Sequence, residues 1–253
     1  MRQKKVVFIS GSTRGIGLEI AKKFSRENFS VILNSKAKVS KDKLKILKKE
    51  IKEFYYYNCD LSDQKKVNSL FKNLKRKFKK IDVIINNAGM SSGSKVGMEN
   101  YNEWLLMFKN NFLTTTNTVE AFTKIFRNSL EKSKIICISS TAAHYYNDAP
   151  SAYIVSKKAL NTYVKLMGQY LAKFKMNINA ISPGNILTKG GTWDKKMKKN
   201  KRSVINYINN VVPLKKFGNP SDIVELAFFL GSEKANFING SIVVSDGGQE
   251  KTL

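Results

Sequence analysis

Short apolar runs alternate with longer stretches of mixed polarity along almost the whole chain. Residues 5–10 (Lys-Val-Val-Phe-Ile-Ser) have the length and β-branched content of a strand buried on both faces. Leu18, Ile20, Ala21 and Phe24 follow at helical spacing. Further strands are expected at residues 30–34, 54–57, 81–85, 135–138, 176–181 and 241–245. Between them the pattern predicts a lysine-rich helix capped by Ser40 and running through Glu50. The next helix is expected to be capped by Ser62, with a stripe of Val67, Leu70, Phe71, Leu74 and Phe78. A long helix is expected over residues 102–126 and another from Ser151. A last one is marked by Asn219, Pro220 and Asp222 as cap, first position and first-turn acid. Strands alternating with helices predict an α/β fold: a single-domain, Rossmann-like, doubly wound parallel sheet of about seven strands. No repeat or linker interrupts the pattern, so residues 1–253 read as one domain. The long irregular interruption at residues 188–218 reads as a substrate lid insertion.

Composition narrows the class. A chain of 253 residues buries a full core without staples, and Cys59 and Cys137 lie in or beside apolar runs, with no disulfide or zinc spacing. One histidine, His144, builds no metal cluster and reads as a pocket-wall or loop residue; no metal is expected. No stretch approaches the ~20 apolar residues of a membrane span. The apolar run at residues 6–9 is too short for a secretory signal, so a soluble, cytoplasmic protein without membrane partners is expected. The net charge of +26 attracts polyanions, but the lysines are spread over every predicted helix, and no specific nucleic-acid binding is expected.

Three stretches carry chemistry. Gly11-Ser-Thr13-Arg14-Gly15-Ile16-Gly17 sits between a strand and a helix, where glycines allow close approach of a pyrophosphate to the helix N-terminus. Tyr153 and Lys157 are four residues apart, hence on one helical face. An ammonium beside a phenol pulls the phenol pKa down from about 10 and makes a tuned acid. Ser140 ends an apolar run thirteen residues before Tyr153 and can bring a hydroxyl beside that phenol. The second strand ends in Asn34-Ser35-Lys36 with no carboxylate to repel a 2′-phosphate, and Lys36 and Arg14 can bind one, so NADP(H) is preferred over NAD(H).

These residues, in this order, resemble the short-chain dehydrogenase/reductase family from Lys5 to Gly248. The resemblance implies a cofactor loop of Gly11, Thr13, Arg14, Gly15, Ile16 and Gly17 and an adenine-contacting pair, Asp60 and Leu61. It implies a strand-four motif of Asn86, Asn87, Ala88 and Gly89, and a catalytic tetrad of Asn111, Ser140, Tyr153 and Lys157. It also implies a nicotinamide-closing segment with Pro183, Gly184, Ile186 and Thr188, and a terminal Asp246-Gly247-Gly248 signature. Length and loop look most like the 3-oxoacyl-acyl-carrier-protein reductases. A sugar or nucleotide-sugar pathway reductase is the alternative, and a non-catalytic dinucleotide sensor a remote one. The substrate is then a small-molecule or carrier-bound carbonyl. Residues 189–202 hold seven basic residues and one acid, which suits an anionic partner. A homotetramer or homodimer is expected, since the helices at residues 102–126 and 151–173 carry surplus apolar residues: Trp104, Leu105, Phe108, Phe112, Phe122 and Phe126 in one, Leu160, Tyr163, Val164, Met167 and Leu171 in the other.

Overall fold

The computed structural model describes residues 4–91, 93–94, 96–145 and 149–251. Seven strands form one sheet: β1 Val6–Ile9, β2 Ser30–Ser35, β3 Phe54–Asn58, β4 Val83–Asn86, β5 Lys134–Ile138, β6 Asn177–Pro183 and β7 Ile242–Ser245. Their order is β3-β2-β1-β4-β5-β6-β7, and every neighbouring pair is parallel. The order reverses between β1 and β4, the point at which crevices form at the carboxyl ends of such sheets.

Because side chains alternate across a strand, one apolar run supplies two cores. Val6 and Phe8 face the helices α3 (Gln64–Lys77), α5 (Thr114–Ile125) and α6 (Ser151–Ala172), packing with Phe71, Phe122 and Leu160. Val7 and Ile9 face α1 (Gly15–Arg26), α2 (Lys41–Glu50) and α9 (Pro220–Leu230), packing with Phe24, Leu47 and Ile223. Two predicted caps hold. Ser40 Oγ accepts from the Lys43 amide at 3.2 Å, and Asn219 and Asp222 form a capping box with Pro220 at the start of α9.

Other expectations change. Asp63, not Ser62, caps α3, accepting from the Lys66 amide at 3.1 Å. Ser62 instead turns back, its hydroxyl donating to Asp60 Oδ1 at 2.8 Å. The helix expected at residues 102–126 is α4 (Tyr101–Phe108), a π-helical turn at Lys109–Leu113 and then α5. Residues 188–218 are not irregular: they hold α7 (Thr192–Lys199) and α8 (Lys201–Val211). Val204 and Ile208 bury one stripe of α8, and Asn200 caps it, accepting from the Ser203 amide at 3.0 Å. No helix among the described residues is long and apolar enough to cross a membrane.

Candidate functional site

The glycine loop joins β1 to α1 at the reversal point. Gly11 and Gly15 have φ of +59° and +58°, backbone that residues with a Cβ rarely adopt. A Cβ on Gly17 would lie 2.4 Å from Asn87 Nδ2 and 2.5 Å from the Gly11 carbonyl, so only glycine lets α1 pack this close. A Cβ on Gly15 would meet nothing within 4 Å, which leaves a cradle at the helix N-terminus. Ser10, not singled out by sequence, ties this loop to β4: its hydroxyl accepts from the amides of Asn87 and Ala88, each at 2.9 Å. Asn87 Nδ2 returns bonds to the carbonyls of Ser10 and Gly11 at 3.1 and 3.0 Å.

Beyond β2 and β3 the predicted pair behaves differently. Lys36 is not free; its ammonium lies 2.9 Å from Asp60 Oδ2. Burial pushes the Asp60 carboxyl up, but the bonds from Lys36 and Ser62 outweigh it and hold the group below the usual carboxylate range. Asn34 serves the fold, donating to the carbonyls of Tyr57 and Cys59, while Arg14 stays exposed beside the loop. Leu61 is buried, and its carbonyl accepts from Asn117.

A cavity of about 580 Å³ opens at the ends of β4, β5 and β6. Ile16, Asn87, Gly89, Ser140, Tyr153 and Lys157 line one side, and Pro183, Gly184, Ile186 and Thr188 the other. Gly11, Thr13, Arg14, Gly15, Gly17, Lys36, Asp60, Leu61 and Ala88 are not among its lining residues; Lys36, Asp60 and Leu61 sit past the ends of β2 and β3. Asn111 is buried and does not line the cavity either. From the π turn its Oδ1 accepts from the Met90 amide at 2.8 Å, and its Nδ2 donates to Ser156 Oγ at 3.2 Å. Its neighbour Asn110 points away, donating to the Leu106 carbonyl.

Helix α6 carries Tyr153 and Lys157. Its first amides, at Ser151 and Ala152, donate to the Glu99 carboxylate, which caps the helix from a separate loop. Ser140 and Tyr153 both line the cavity, and Ser140 Oγ accepts from the Ala142 amide at 3.1 Å. The tyrosine pKa differs from the expectation: burial pushes the phenol up, the nearby Ser140 hydroxyl offsets part of that, and Lys157 is not among the causes. The Lys157 ammonium instead donates to the Ile138 carbonyl at 2.8 Å, and burial pushes its own pKa down to about 8. A protonated phenol, a hydroxyl lining the same cavity and a buried ammonium one helical turn away can together deliver a proton to an oxygen held in the cavity.

The outer wall comes from α7, α8 and the tail. Trp193 is half-buried and stacks on Tyr207, with ring centroids 5.1 Å apart. Lys196 lines the cavity and sits over the Trp193 ring, whereas Lys198 pairs with Asp194 at 3.1 Å. Tyr145, Asn185, Tyr207 and Gln249 also line it, and the sequence alone gave them no role.

A family model described as "Enoyl-(Acyl carrier protein) reductase" matches residues 11–250. The chain is 28% identical over 255 residues to the 3-oxoacyl-[acyl-carrier-protein] reductase FabG of Buchnera aphidicola, covering 99% of each. It is 31% identical over 255 residues to the isoepoxydon dehydrogenase patN of Aspergillus clavatus, covering 96% of this chain and 93% of that one. The solved structure of ElxO with NADP bound has a TM-score of 0.90 at 26% identity, covering 98% of this chain and 99% of that one. The family match begins at the first glycine of the cradle and ends in the tail beyond β7, and with it the chain belongs to the short-chain dehydrogenase/reductase family of NAD(P)-dependent oxidoreductases.

Proposed function

We propose that this protein is an NADP(H)-dependent carbonyl reductase acting on a 3-oxoacyl thioester borne by an acyl carrier protein. The observation that carries the reading is that Ser140, Tyr153 and Lys157 line one cavity together with Gly89 and Pro183. The dinucleotide fits the residues present: the cradle at Gly15 is vacant of protein atoms and Gly17 admits no side chain. Gly11, Thr13, Arg14, Gly15, Ile16 and Gly17 would hold its pyrophosphate, Asp60 and Leu61 its adenine, and Asn87, Ala88 and Gly89 its middle. Tyr153, Lys157, Pro183, Gly184, Ile186 and Thr188 would hold its nicotinamide end. The cofactor supplies the hydride.

The chain's own groups handle the proton. Tyr153 carries its proton at neutral pH, as a phenol does, and donates it to the carbonyl oxygen in the reductive direction. Ser140 donates to the oxygen as negative charge develops there, a contribution of several kcal/mol in comparable sites. Lys157 stabilises the phenolate left behind, and Asn111 holds a water that returns the proton. The preference for NADP(H) over NAD(H) rests on Arg14 and on the absence of a carboxylate at the end of β2, where Asn34, Ser35 and Lys36 stand; the nearby Asp60, past β3, is paired with Lys36. ElxO, solved with NADP bound, supports it.

Lys195 and Lys199 stay exposed on α7 above the cavity and suit an acidic carrier. A second reading, a sugar-pathway reductase, is favoured by the hydrogen-bonding wall of Tyr145, Asn185, Tyr207 and Gln249. A homotetramer or homodimer is proposed on different residues from those the sequence indicated. Phe122, Phe126, Leu160, Val164 and Leu171 are buried within the chain's own core, while Leu105, Leu106, Val155, Leu166 and Tyr170 are exposed on α4 and α6. Purified protein assayed with NADPH and NADH against an acetoacetyl thioester, simple ketones and keto-sugars tests the reading. Thioester reduction with NADPH preferred supports it, keto-sugar reduction alone selects the second reading, and turnover of none of them refutes both.

A further inference from the structure

The chain's one histidine has no part in the chemistry above. His144 follows the 3₁₀ turn Thr141–Ala143, which starts at Ser140, and its amide donates to the Thr141 carbonyl at 2.9 Å. Both ring nitrogens are engaged. Nδ1 lies 2.9 Å from Glu250 Oε1, and Nε2 lies 2.9 Å from Ser182 Oγ and 3.2 Å from Asn161 Nδ2. Asn161 is oriented from its other end, where its Oδ1 accepts from Ser139 Oγ at 2.6 Å, so its NH₂ faces the ring. Nδ1 thus faces the Glu250 carboxylate, which can only accept, and Nε2 faces the Ser182 hydroxyl and the Asn161 amide.

Glu250 belongs to the tail after β7. Asp246 folds this tail back by accepting from the amides of Gly248 and Glu250, at 2.9 and 2.6 Å. Gln249 then lines the cavity with Ser140 and Tyr153, its Oε1 accepting from Asn185 Nδ2 at 2.8 Å. One imidazole thus joins three segments: the turn that aims Ser140, the end of β6 and the tail that supplies a wall of the cavity.

We propose that His144 is a positioning residue that clasps the C-terminal tail through Glu250, and so fixes the Ser140 turn and the Gln249 wall against the substrate. The inference rests on the reductase reading for its kinetic consequence but not for the clasp itself. Releasing the clasp lets the turn drift, and a displacement of about 1 Å at a positioned hydroxyl costs up to ~10²-fold in rate. The cradle for the dinucleotide pyrophosphate lies on β1 and α1, away from the tail, so NADPH affinity stays within about threefold.

The test uses the full chain with His144→Ala, Glu250→Ala, their double variant, His144→Asn and His144→Gln. Steady-state kinetics are run with an acetoacetyl thioester, or with the carbonyl most rapidly reduced in the screen above, and hydrogen exchange is followed over residues 139–145. Each alanine variant is expected to lower kcat about tenfold and raise the carbonyl KM several-fold, and the double variant to lose no more than either single. His144→Asn keeps a donor near the Nδ1 position and is expected to recover most of kcat, whereas His144→Gln, which reaches only toward Ser182, is not. Faster exchange over residues 139–145 in Glu250→Ala is the matching physical signature. Additive losses, equal rescue by glutamine, or wild-type kinetics and exchange in Glu250→Ala overturn the proposal. If the wild-type protein reduces no carbonyl, the reductase reading fails while the exchange comparison still decides the clasp.

Discussion

Replacing Gly17 by alanine separates packing from ligand binding when set against the same change at Gly15. The new Cβ at position 17 would stand 2.4 Å from Asn87 Nδ2 and 2.5 Å from the Gly11 carbonyl, about 1 Å inside normal contact at both atoms. Swinging Asn87 aside relieves only one clash and breaks its two bonds, at 3.1 and 3.0 Å, to the loop carbonyls. The backbone clash remains, so α1 must lift and loosen Leu18, Ile20 and Phe24 beneath it. Overpacking and lost buried hydrogen bonds of this kind cost about 2–3 kcal/mol. In a chain of this size that lowers Tm by roughly 4–12 °C. At position 15 a Cβ meets no protein atom within 4 Å, and the cost is the left-handed backbone alone, about 1 kcal/mol. Its Cβ instead enters the cradle, so NADPH affinity is expected to fall at least about tenfold, the scale of one lost charge-assisted hydrogen bond. Differential scanning calorimetry and NADPH fluorescence titration read the two effects separately. A Gly17→Ala protein with wild-type Tm, or a Gly15→Ala protein that melts lower than Gly17→Ala and still binds NADPH normally, would refute the reasoning.

Three further outcomes are expected. Tyr153→Phe keeps the fold and NADPH binding but lowers kcat by at least ~10²-fold, and wild-type turnover would remove Tyr153 from the acid role. Because burial brings Lys157 down to about 8, it is charged below that pH, and kcat/KM for NADPH is expected to fall above about pH 8; a profile flat to pH 9.5 counts against this. The stability term runs the other way. An unfolded lysine keeps its proton up to about 10.5, so this group's contribution rises with pH from about 8 and is lost as pH falls back through it. Changing Lys195, Lys196, Lys198 and Lys199 to glutamate should raise KM for a carrier-bound substrate several-fold and abolish its salt dependence, leaving KM for a small neutral ketone nearly unchanged; equal effects on both substrates would show that the lid acts through its shape.

Most of the sheet was legible because parallel strands buried on both faces are unbroken apolar runs, and because Ser40 and Asn219 are caps with a local signature. The misread cap at Ser62 has a local cause: Asp60 accepts from both the amide and the hydroxyl of Ser62, an Asx-type turn that leaves Asp63 to start α3. In residues 188–218 the lysine run hid the four-residue spacing of Val204, Ile208 and Val212, all buried. The Lys36–Asp60 pair depends on β2 and β3 lying in register, with Ser35 opposite Asn58, which no local pattern states. The order of the motifs was readable; the partner of each side chain was not, since hydrogen-bond direction follows from tertiary approach.

The π turn marks the limit of pattern reading most clearly. Of the surplus apolar residues expected over residues 102–126, Phe122 and Phe126 are buried, while Trp104, Leu105, Phe108 and Phe112 are not; the buried positions also include the polar Asn111, Thr114, Thr115 and Thr118. Thr114 and Thr118 can be buried because their hydroxyls donate back to the carbonyls of Asn110 and Thr114, at 2.9 and 2.7 Å. The widened turn carries Asn111 to the amide of Met90 and the hydroxyl of Ser156. The approach is close: a Cβ on Gly89 would stand 2.8 Å from Asn111 Oδ1 and 3.5 Å from Lys157 Nζ. π-helical turns inside α-helices are rare and are frequent at functional sites. Here the turn brings the Asn111 amide, and α6 the Lys157 ammonium, close to one glycine, and the strand order puts that glycine at the reversal point of the sheet. Fold and site therefore meet at Gly89, which lines the cavity and whose lack of a side chain leaves room for both groups.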